Sequence, residues 1–307
     1  MIWVILVIFA TVLDSLRIFV DNYVSDVYFK KRLAYSQRLF YGYLGLVAAI
    51  IILAVSGSDI HSASPGIIAF LILSGLLSAA SAVPYIRTLE IDDSTNLGIF
   101  IQLAPILYLI LGWLFLGDTF SPMQLVAFVV ILAAPLLIVL TTRKRSRHTK
   151  IKAVVYALIY VFIAVVGNLI FVIANEKSPS FVSSIGLLTL GKSLGYIAIV
   201  WSRPKWHRRF YRVLKTSKYK VLLPMFINYA ISLVKDFVYR GALVFAPTVA
   251  VASAASDSTE PIVIFFMGIL LTLIWPKFGR EKLDKKSILT HLVATVLVVI
   301  GIVLLQM

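Results

Sequence analysis

The chain has 307 residues, of which 60% are hydrophobic and only 14% are charged. Soluble domains are nearer half apolar and about one quarter charged, so this composition excludes an ordinary soluble protein and indicates a polytopic membrane protein. The absence of cysteine excludes disulfide scaffolds and thiolate chemistry. The four histidines are scattered and match no metal-binding pattern. We therefore predict no metal, no cofactor and no enzymatic activity.

The formal net charge of +15 raises the question of nucleic-acid binding. The basic residues are concentrated between apolar segments, at 143–152, 203–220 and 277–286. Basic loops beside membrane spans follow the positive-inside rule. We therefore predict cytoplasmic loops next to anionic lipid headgroups, a lipid bilayer as partner, and no nucleic acid.

Apolar segments long enough to span a bilayer, for which about 20 residues are needed, occur ten times along the chain. The sequence therefore predicts an all-α integral membrane protein with ten transmembrane helices. The first segment has no basic leader and no cleavage site, so we interpret it as a retained helix. In chain order the segments are 1–22, 39–56, 66–86, 97–117, 122–142, 153–174, 180–201, 221–240, 247–275 and 288–306.

Lysine and arginine fall almost entirely in the odd-numbered loops of this ten-span arrangement. The positive-inside rule then places those loops in the cytoplasm and both termini outside the cell membrane. This orientation would reverse if one span were wrongly assigned.

Three short patterns occur in both halves of the chain, in the same order. Because each half would contain five helices, an odd number, the second half must be inverted relative to the first. Inverted repeats place a binding site at the bilayer midplane, between halves that rock against each other. The paired stretches are 84–91 with 238–245, 101–117 with 257–273, and 124–140 with 291–306.

We predict a first five-helix repeat at 1–142, a basic linker at 143–152 and a second five-helix repeat at 153–307. Pro105 and Pro261 occupy matching positions in the fourth helix of each repeat. Both are candidates for helix breaks, because proline has no amide proton and frees a carbonyl about one turn earlier.

These motifs resemble the EamA-type branch of the drug/metabolite transporter superfamily. The resemblance implies ten helices in two inverted repeats, a centrally bound substrate and, in many relatives, cytoplasmic termini, which conflicts with the charge count. The family places a small and an acidic residue after the fourth helix; Gly117 and Asp118 fill that place, whereas Glu281 is displaced in the second half. The matching stretches are PYIRTL (84–89), LILGWLFLGDTFSPMQL (109–125) and EPIVIFFMGILLTLI (260–274).

Charged side chains inside the predicted spans are candidates for a functional site, because a charge at the bilayer centre costs about 2.5 kcal/mol or more. Asp257 and Glu260 are three residues apart and share a helix face with Ser253. With Pro261 they would form a polar notch suited to a cation, a proton or an amine. If the helix began later, both acids would lie in a loop.

A structural alternative is that Glu260 pairs with Lys192 or Lys235 and holds two helices together. Lys192 would otherwise neutralise a substrate carboxylate or phosphate, or extend its ammonium to the membrane interface. Lys235 and Asp236 are adjacent and hence about 100° apart on a helix. We therefore expect them to have different partners, with Arg240 one turn from Asp236.

Asp14 and Arg17 are three residues apart on the first predicted span. They form either an internal ion pair or a contact for a zwitterionic substrate. Gln102, three residues before Pro105, is a further polar candidate.

The function that the sequence predicts is secondary transport of a small polar metabolite by alternating access, with proton coupling through Glu260 or Asp257 left open. No soluble domain is present that could hold an ATPase. The alternatives are a flippase for a lipid-linked or amphipathic substrate and a membrane accessory subunit that does not transport. The sequence specifies neither the substrate, the direction of transport nor the oligomeric state.

Overall fold

The computed structural model describes residues 2–24, 34–57, 62–91, 103–142, 151–217, 219–274 and 285–304. Across these residues the protein forms eleven α-helices and no strand. The helices are α1 (Ile2–Val24), α2 (Ala34–Val55), α3 (Pro65–Ile91), α4 (Ala104–Leu116), α5 (Pro122–Thr142), α6 (Ile151–Glu176), α7 (Phe181–Trp201), α8 (Pro204–Ser217), α9 (Tyr219–Phe245), α10 (Val249–Ile274) and α11 (Lys285–Leu304).

Seven of these helices, namely α1, α2, α3, α6, α7, α9 and α10, are long and apolar enough to cross a membrane. The helices α4, α5 and α11 contain shorter apolar stretches. A bilayer offers no hydrogen bonds to the backbone, so an apolar segment satisfies its own amides and carbonyls as a helix. The prediction of an all-α integral membrane protein is therefore confirmed. Ten complete spans in two inverted repeats remain a prediction.

The helix α8 lies within the stretch 203–220, which was predicted to be a basic loop. Its apolar residues recur at helical spacing, at Trp206, Phe210, Val213 and Leu214. The structure shows that most of this connection is an amphipathic helix. The other two basic stretches fall largely outside the described residues, at 143–150 and 275–284.

The chain divides into two compact units, and each is described by itself. The first unit comprises Met1–Phe19, Asp92–Val154 and Ile231–Met307. Within it α10 packs on α4, α5 and α11, and α11 packs along α5. Its apolar core is formed around four buried residues: Ala134, Ile262, Ala294 and Val298.

The second unit comprises Val20–Ile91 and Val155–Ala230. Within it α7 packs against both α2 and α3, and α8 packs on α2 and α7. The contact of α3 with α7 is close because Gly75 and Gly191 face the backbone of the opposite helix. A Cβ atom at either position would overlap a carbonyl oxygen, of Leu188 and Ile72 respectively.

Each compact unit takes helices from both halves of the sequence. In the first unit α4 pairs with α10 and α5 pairs with α11, which are the fourth and fifth helices of the two predicted repeats. The predicted domains 1–142 and 153–307 are two repeats that follow each other in the sequence. The compact units are instead groups of residues that pack together. The repeat boundaries therefore remain a prediction.

Candidate functional site

Charged side chains from three helices come together in the first unit. They lie in the second half of α1, the second half of α9 and the middle of α10. We call this group the charged cluster. Its members are Asp14, Arg17, Lys235, Asp236, Arg240, Asp257 and Glu260.

The Asp14 carboxylate binds two cations. The Arg17 guanidinium, one turn further along α1, donates from Nε to Asp14 Oδ1. The other carboxylate oxygen lies 3.6 Å from the Lys235 ammonium on α9. The three side chains are only 20–21% exposed. The internal ion pair expected for Asp14 and Arg17 is therefore present, and it is also tied to a second helix.

Lys235 also contacts its sequence neighbour, with Nζ 3.4 Å from Asp236 Oδ1. Each residue has the separate partner that was expected, Asp14 for Lys235 and Arg240 for Asp236, and the long lysine stem also lets the ammonium reach back to the adjacent carboxylate. The same ammonium lies 5.6 Å from the centre of the Tyr239 ring, within cation–π range. Asp236 interacts electrostatically with Arg240, as the helical spacing predicts.

Asp257 and Glu260 lie in the middle of α10, so the alternative that places them in a loop is wrong. Ser253, which is fully buried, donates a hydrogen bond of 2.9 Å to Asp257 Oδ2. This contact spans one helical turn and confirms the shared face that the spacing predicts.

Glu260 occupies a position between like and opposite charges. Asp14 and Asp257 repel its carboxylate, whereas Lys235 and Arg17 attract it. Over the described parts of the chain, Glu260 makes no hydrogen bond and no salt bridge. The alternative of a structural pair with Lys235 is therefore realised only as an electrostatic interaction, since the Lys235 ammonium contacts Asp14 and Asp236 directly.

The two prolines lie in different places relative to their helices. Pro261 is inside α10, next to Glu260, and its missing amide leaves the backbone carbonyl of Asp257 without its helical donor. Pro105 lies in the first turn of α4, where no helical donor is lost. Of the two prolines, only Pro261 therefore removes a helical hydrogen bond beside the charged cluster.

Two tyrosines border the cluster, and their spacing in the sequence gave no reason to pair them. Tyr239 on α9 and Tyr108 on α4 are hydrogen-bonded to each other, and Tyr239 interacts electrostatically with Asp257 and Arg240. Tyr108 is 2% exposed. The pair connects α4, the partner of α10, to the charged residues of α9.

Lys192 belongs to the second unit, in the middle of α7. The stretch 186–193, GLLTLGKS, matches by its letters the GxxxxGK[ST] pattern of phosphate-binding loops. That motif requires a loop between a strand and a helix, with free backbone amides. Here the stretch is continuous helix, so those amides are used within α7. Gln102 lies outside the described residues.

A second cluster of polar side chains lies in the second unit, and the sequence did not predict that these side chains would meet. Asp21 Oδ1 accepts hydrogen bonds from Gln37 Nε2 at 2.6 Å, Tyr41 Oη at 3.1 Å and Asn228 Nδ2 at 3.0 Å. The Arg38 guanidinium lies 3.8 Å from the other oxygen of Asp21. We call these five residues the Asp21 network.

The described ranges contain no group of three histidine, aspartate or glutamate residues close enough to hold an ion. The charged cluster mixes carboxylates with cations, which suits a proton, an ammonium group or a polar organic molecule better than a bare metal.

Comparison with known proteins relates the chain to a transporter family. Residues 1–140 match the EamA-like transporter family, part of the drug/metabolite transporter superfamily. Among solved structures 28 chains match, and one crystal structure has a TM-score of 0.63 at 13% sequence identity, covering 98% of this chain and 95% of that chain. That likeness shows the fold. No curated protein matches. The family match covers the first 140 of the 307 residues, less than half of the chain.

Proposed function

We propose that this chain, whose residues 1–140 match the EamA-like transporter family, is a secondary transporter that moves a small polar metabolite by alternating access. The proposal includes two inverted five-helix repeats and proton coupling at Glu260. We also propose that the protein resides in the cell membrane, with the odd-numbered basic loops in the cytoplasm and both termini outside.

The observation that carries the proposal is the environment of Glu260. A carboxylate in the middle of an apolar helix is costly, and such residues usually pair or line an ion pathway. Glu260 interacts with two other carboxylates and with two cations, and it makes no salt bridge with either cation in the described parts of the chain. A proton or a substrate cation would compensate its charge.

The surrounding charges give a mechanism for coupling. When Glu260 binds a proton, its repulsion of Asp14 and Asp257 disappears, and Lys235 and Arg17 are attracted more strongly to the remaining carboxylates. A substrate ammonium has the same effect on Glu260. Proton and substrate therefore compete for one carboxylate, which is the requirement for exchange of one against the other across the membrane.

The packing of the first unit supports alternating access. The helix pairs α4–α10 and α5–α11 join corresponding helices of the predicted repeats. Near-symmetric partners of this kind allow two equivalent arrangements of the same contacts. Pro261 removes one helical hydrogen bond and makes α10 easier to bend at the level of Glu260.

The test starts from purified full-length protein. Thermal shifts with amino acids, nucleosides, sugars and amines identify ligands, and uptake of the best ligand is measured in proteoliposomes with and without a pH gradient. In Glu260→Gln we expect gradient-driven accumulation to be lost while the protein stays folded. The matched control is Glu176→Gln, an exposed carboxylate at the end of α6, which should transport like the wild type.

Two results would contradict the proposal. Uptake by Glu260→Gln with the pH dependence of the wild type would remove Glu260 from the mechanism. Movement of a fluorescent phospholipid between leaflets, without uptake of any polar ligand, would favour the flippase. Reporter tags near residues 147 and 283 test the architecture separately, since the repeats require both loops on the same side of the membrane.

A further inference from the structure

The amphipathic helix α8 separates its residue types onto two faces. At 100° per residue, its five lysines and arginines fall within an arc of about 120°. All five are exposed, and the helix contains no acidic residue. We call this surface the basic face of α8; it consists of Lys205, Arg208, Arg209, Arg212 and Lys215.

The opposite, apolar face of α8 is already occupied within the second unit. Phe210 is 2% exposed and lies in a buried core with Val24, Leu39, Val200, Val221 and Met225. Trp206, Val213 and Leu214 pack against the same core. The orientation of α8 is therefore fixed by its apolar side, and its basic side is held outward.

The position of α8 in the chain places it at the end of two candidate membrane spans. It begins three residues after Trp201, the last residue of α7, and ends two residues before Tyr219, the first residue of α9. Both neighbours are long and apolar enough to cross a membrane. If α7 and α9 both cross the bilayer, the short amphipathic helix that joins them lies at the level of the lipid headgroups.

Aromatic side chains around α8 are independent evidence that this helix lies at the level of the lipid headgroups. The Trp201 indole donates a hydrogen bond of 3.2 Å to the Tyr43 hydroxyl, which lies 3.4 Å from the Tyr211 hydroxyl. Trp201 is 52% exposed and Tyr211 is 48% exposed. Exposed tryptophan and tyrosine concentrate at the boundary between hydrocarbon and water, where their rings are apolar and their polar atoms are hydrated.

We propose that the basic face of α8 binds the headgroups of anionic phospholipids. Five cations without a nearby acid on the same helix, held outward beside two spans, complement a layer of phosphate groups. We propose a lipid as the partner because a helix at the level of the headgroups lies beside their phosphate groups. The proposal does not depend on the transport activity, because it concerns a surface of the second unit.

The test uses the full-length protein in phosphatidylcholine vesicles that contain brominated phosphatidylglycerol or brominated phosphatidylcholine. Tryptophan fluorescence quenching gives the relative binding constant of the two lipids. Replacing Trp3, Trp113 and Trp275 by phenylalanine leaves two reporters, Trp206 within α8 and Trp201 three residues before it. The measurement is repeated at high salt, which screens exposed charges.

We expect the reporters to prefer phosphatidylglycerol, and the preference to weaken with salt. Replacing all five basic residues by glutamine should lower it by about fivefold or more, since one Lys or Arg near an anionic surface has an effect of that order. The charge-preserving variant R208K/R209K/R212K should keep the preference. The variant K152Q/K177Q, with exposed lysines outside α8, should also keep it.

The proposal is overturned if the glutamine variant keeps the wild-type preference while its thermal unfolding is unchanged. It is equally overturned if a polyglutamate peptide binds the wild-type protein more tightly than phosphatidylglycerol vesicles do, because the basic face would then be a docking surface for an acidic protein. Competition by inorganic phosphate at the same concentration as the lipid would also contradict a lipid site.

Discussion

The Lys235 ammonium lies 3.6 Å from a carboxylate oxygen of Asp14 and 3.4 Å from one of Asp236. One cation is thus shared between α1 and α9, and two carboxylates depend on it. Because Glu260 interacts electrostatically with the same ammonium, a change in the charge of Glu260 alters the balance between these two ion pairs. Lys235 is therefore the centre of the charged cluster.

Replacing Lys235 by methionine should destabilise the protein, because Asp14 and Asp236 lose a shared cation in a largely buried place. In a double-mutant cycle with Asp14→Asn, we expect a coupling energy of about 0.5–3 kcal/mol, the range for contacting residues. The measurement is unfolding of the detergent-purified protein. Lys235→Arg, which keeps the charge, should recover much of the loss. Additive effects of the two single substitutions would show that Asp14 and Lys235 do not interact.

The Asp21 network gives a second prediction, based on a matched pair of tyrosines on α2. The Tyr41 hydroxyl donates to Asp21 and accepts from Gln37 and Asn228, and Tyr41 is 5% exposed. Removing it in Tyr41→Phe deprives a carboxylate and two buried amides of a partner. We expect a loss of about 1–3 kcal/mol in unfolding free energy.

The control for Tyr41→Phe is Tyr43→Phe. The Tyr43 hydroxyl takes part only in exposed hydrogen bonds, to Trp201 and Tyr211, in the described parts of the chain. Its removal should change stability by less than about 0.5 kcal/mol. Equal losses in the two variants would mean that burial of the Asp21 network does not determine its strength.

The apolar helices could be predicted from the sequence because the bilayer fixes both their length and their backbone hydrogen bonding. The contact of Ser253 with Asp257 was also predictable, since both residues lie on one helix at a spacing of four. The charged cluster as a whole was not, because Asp14 and Lys235 meet only through tertiary packing.

The Asp21 network was missed for a different reason. Asp21 lies at the end of the first predicted segment and Gln37 lies just before the second. Both residues were therefore expected near a loop between two helices. The structure extends α2 back to Ala34, which brings Gln37 and Arg38 into the helix. Asn228 could not be linked to Asp21 from the sequence, because the two residues are 207 positions apart. The helix α8 did carry a signal, the helical spacing of Trp206 and Phe210, but its many charges dominated the interpretation.

The close contact of α3 with α7 gives a third prediction. In Gly191→Ala the added Cβ would overlap the Ile72 carbonyl oxygen, a backbone atom that cannot move without displacing α3. We expect the second unit to lose about 1–3 kcal/mol, the usual cost of overpacking. Gly66→Ala is the control, because its Cβ would meet no heavy atom closer than 4.0 Å. Thermal unfolding of both variants measures the difference. A stable Gly191→Ala protein would contradict this packing of the two helices.

Pro261 gives the last prediction and separates bending of α10 from the chemistry of Glu260. In Pro261→Ala a backbone amide returns and can donate to the carbonyl of Asp257, which completes the helix beside the charged cluster. We expect the melting temperature to rise or stay constant, because proline inside a helix is unfavourable by roughly 3 kcal/mol relative to alanine before the fold relaxes around it. The transport rate should fall by about tenfold if bending at this position limits the cycle, a change equivalent to about 1.4 kcal/mol in activation free energy.

The control for Pro261→Ala is Pro84→Ala, a second proline inside a helix, in α3 of the second unit. It should affect stability in the same direction and leave the transport rate within about twofold of the wild type, because it lies in a helix that contributes no residue to the charged cluster. Twofold corresponds to roughly 0.4 kcal/mol in activation free energy. Ligand affinity, measured by thermal shift, should be unchanged in both variants, since neither removes a charge. If Pro261→Ala instead transports at the wild-type rate, α10 does not bend at Pro261 during the cycle, and Glu260 has to change its access through movement of α10 as a whole.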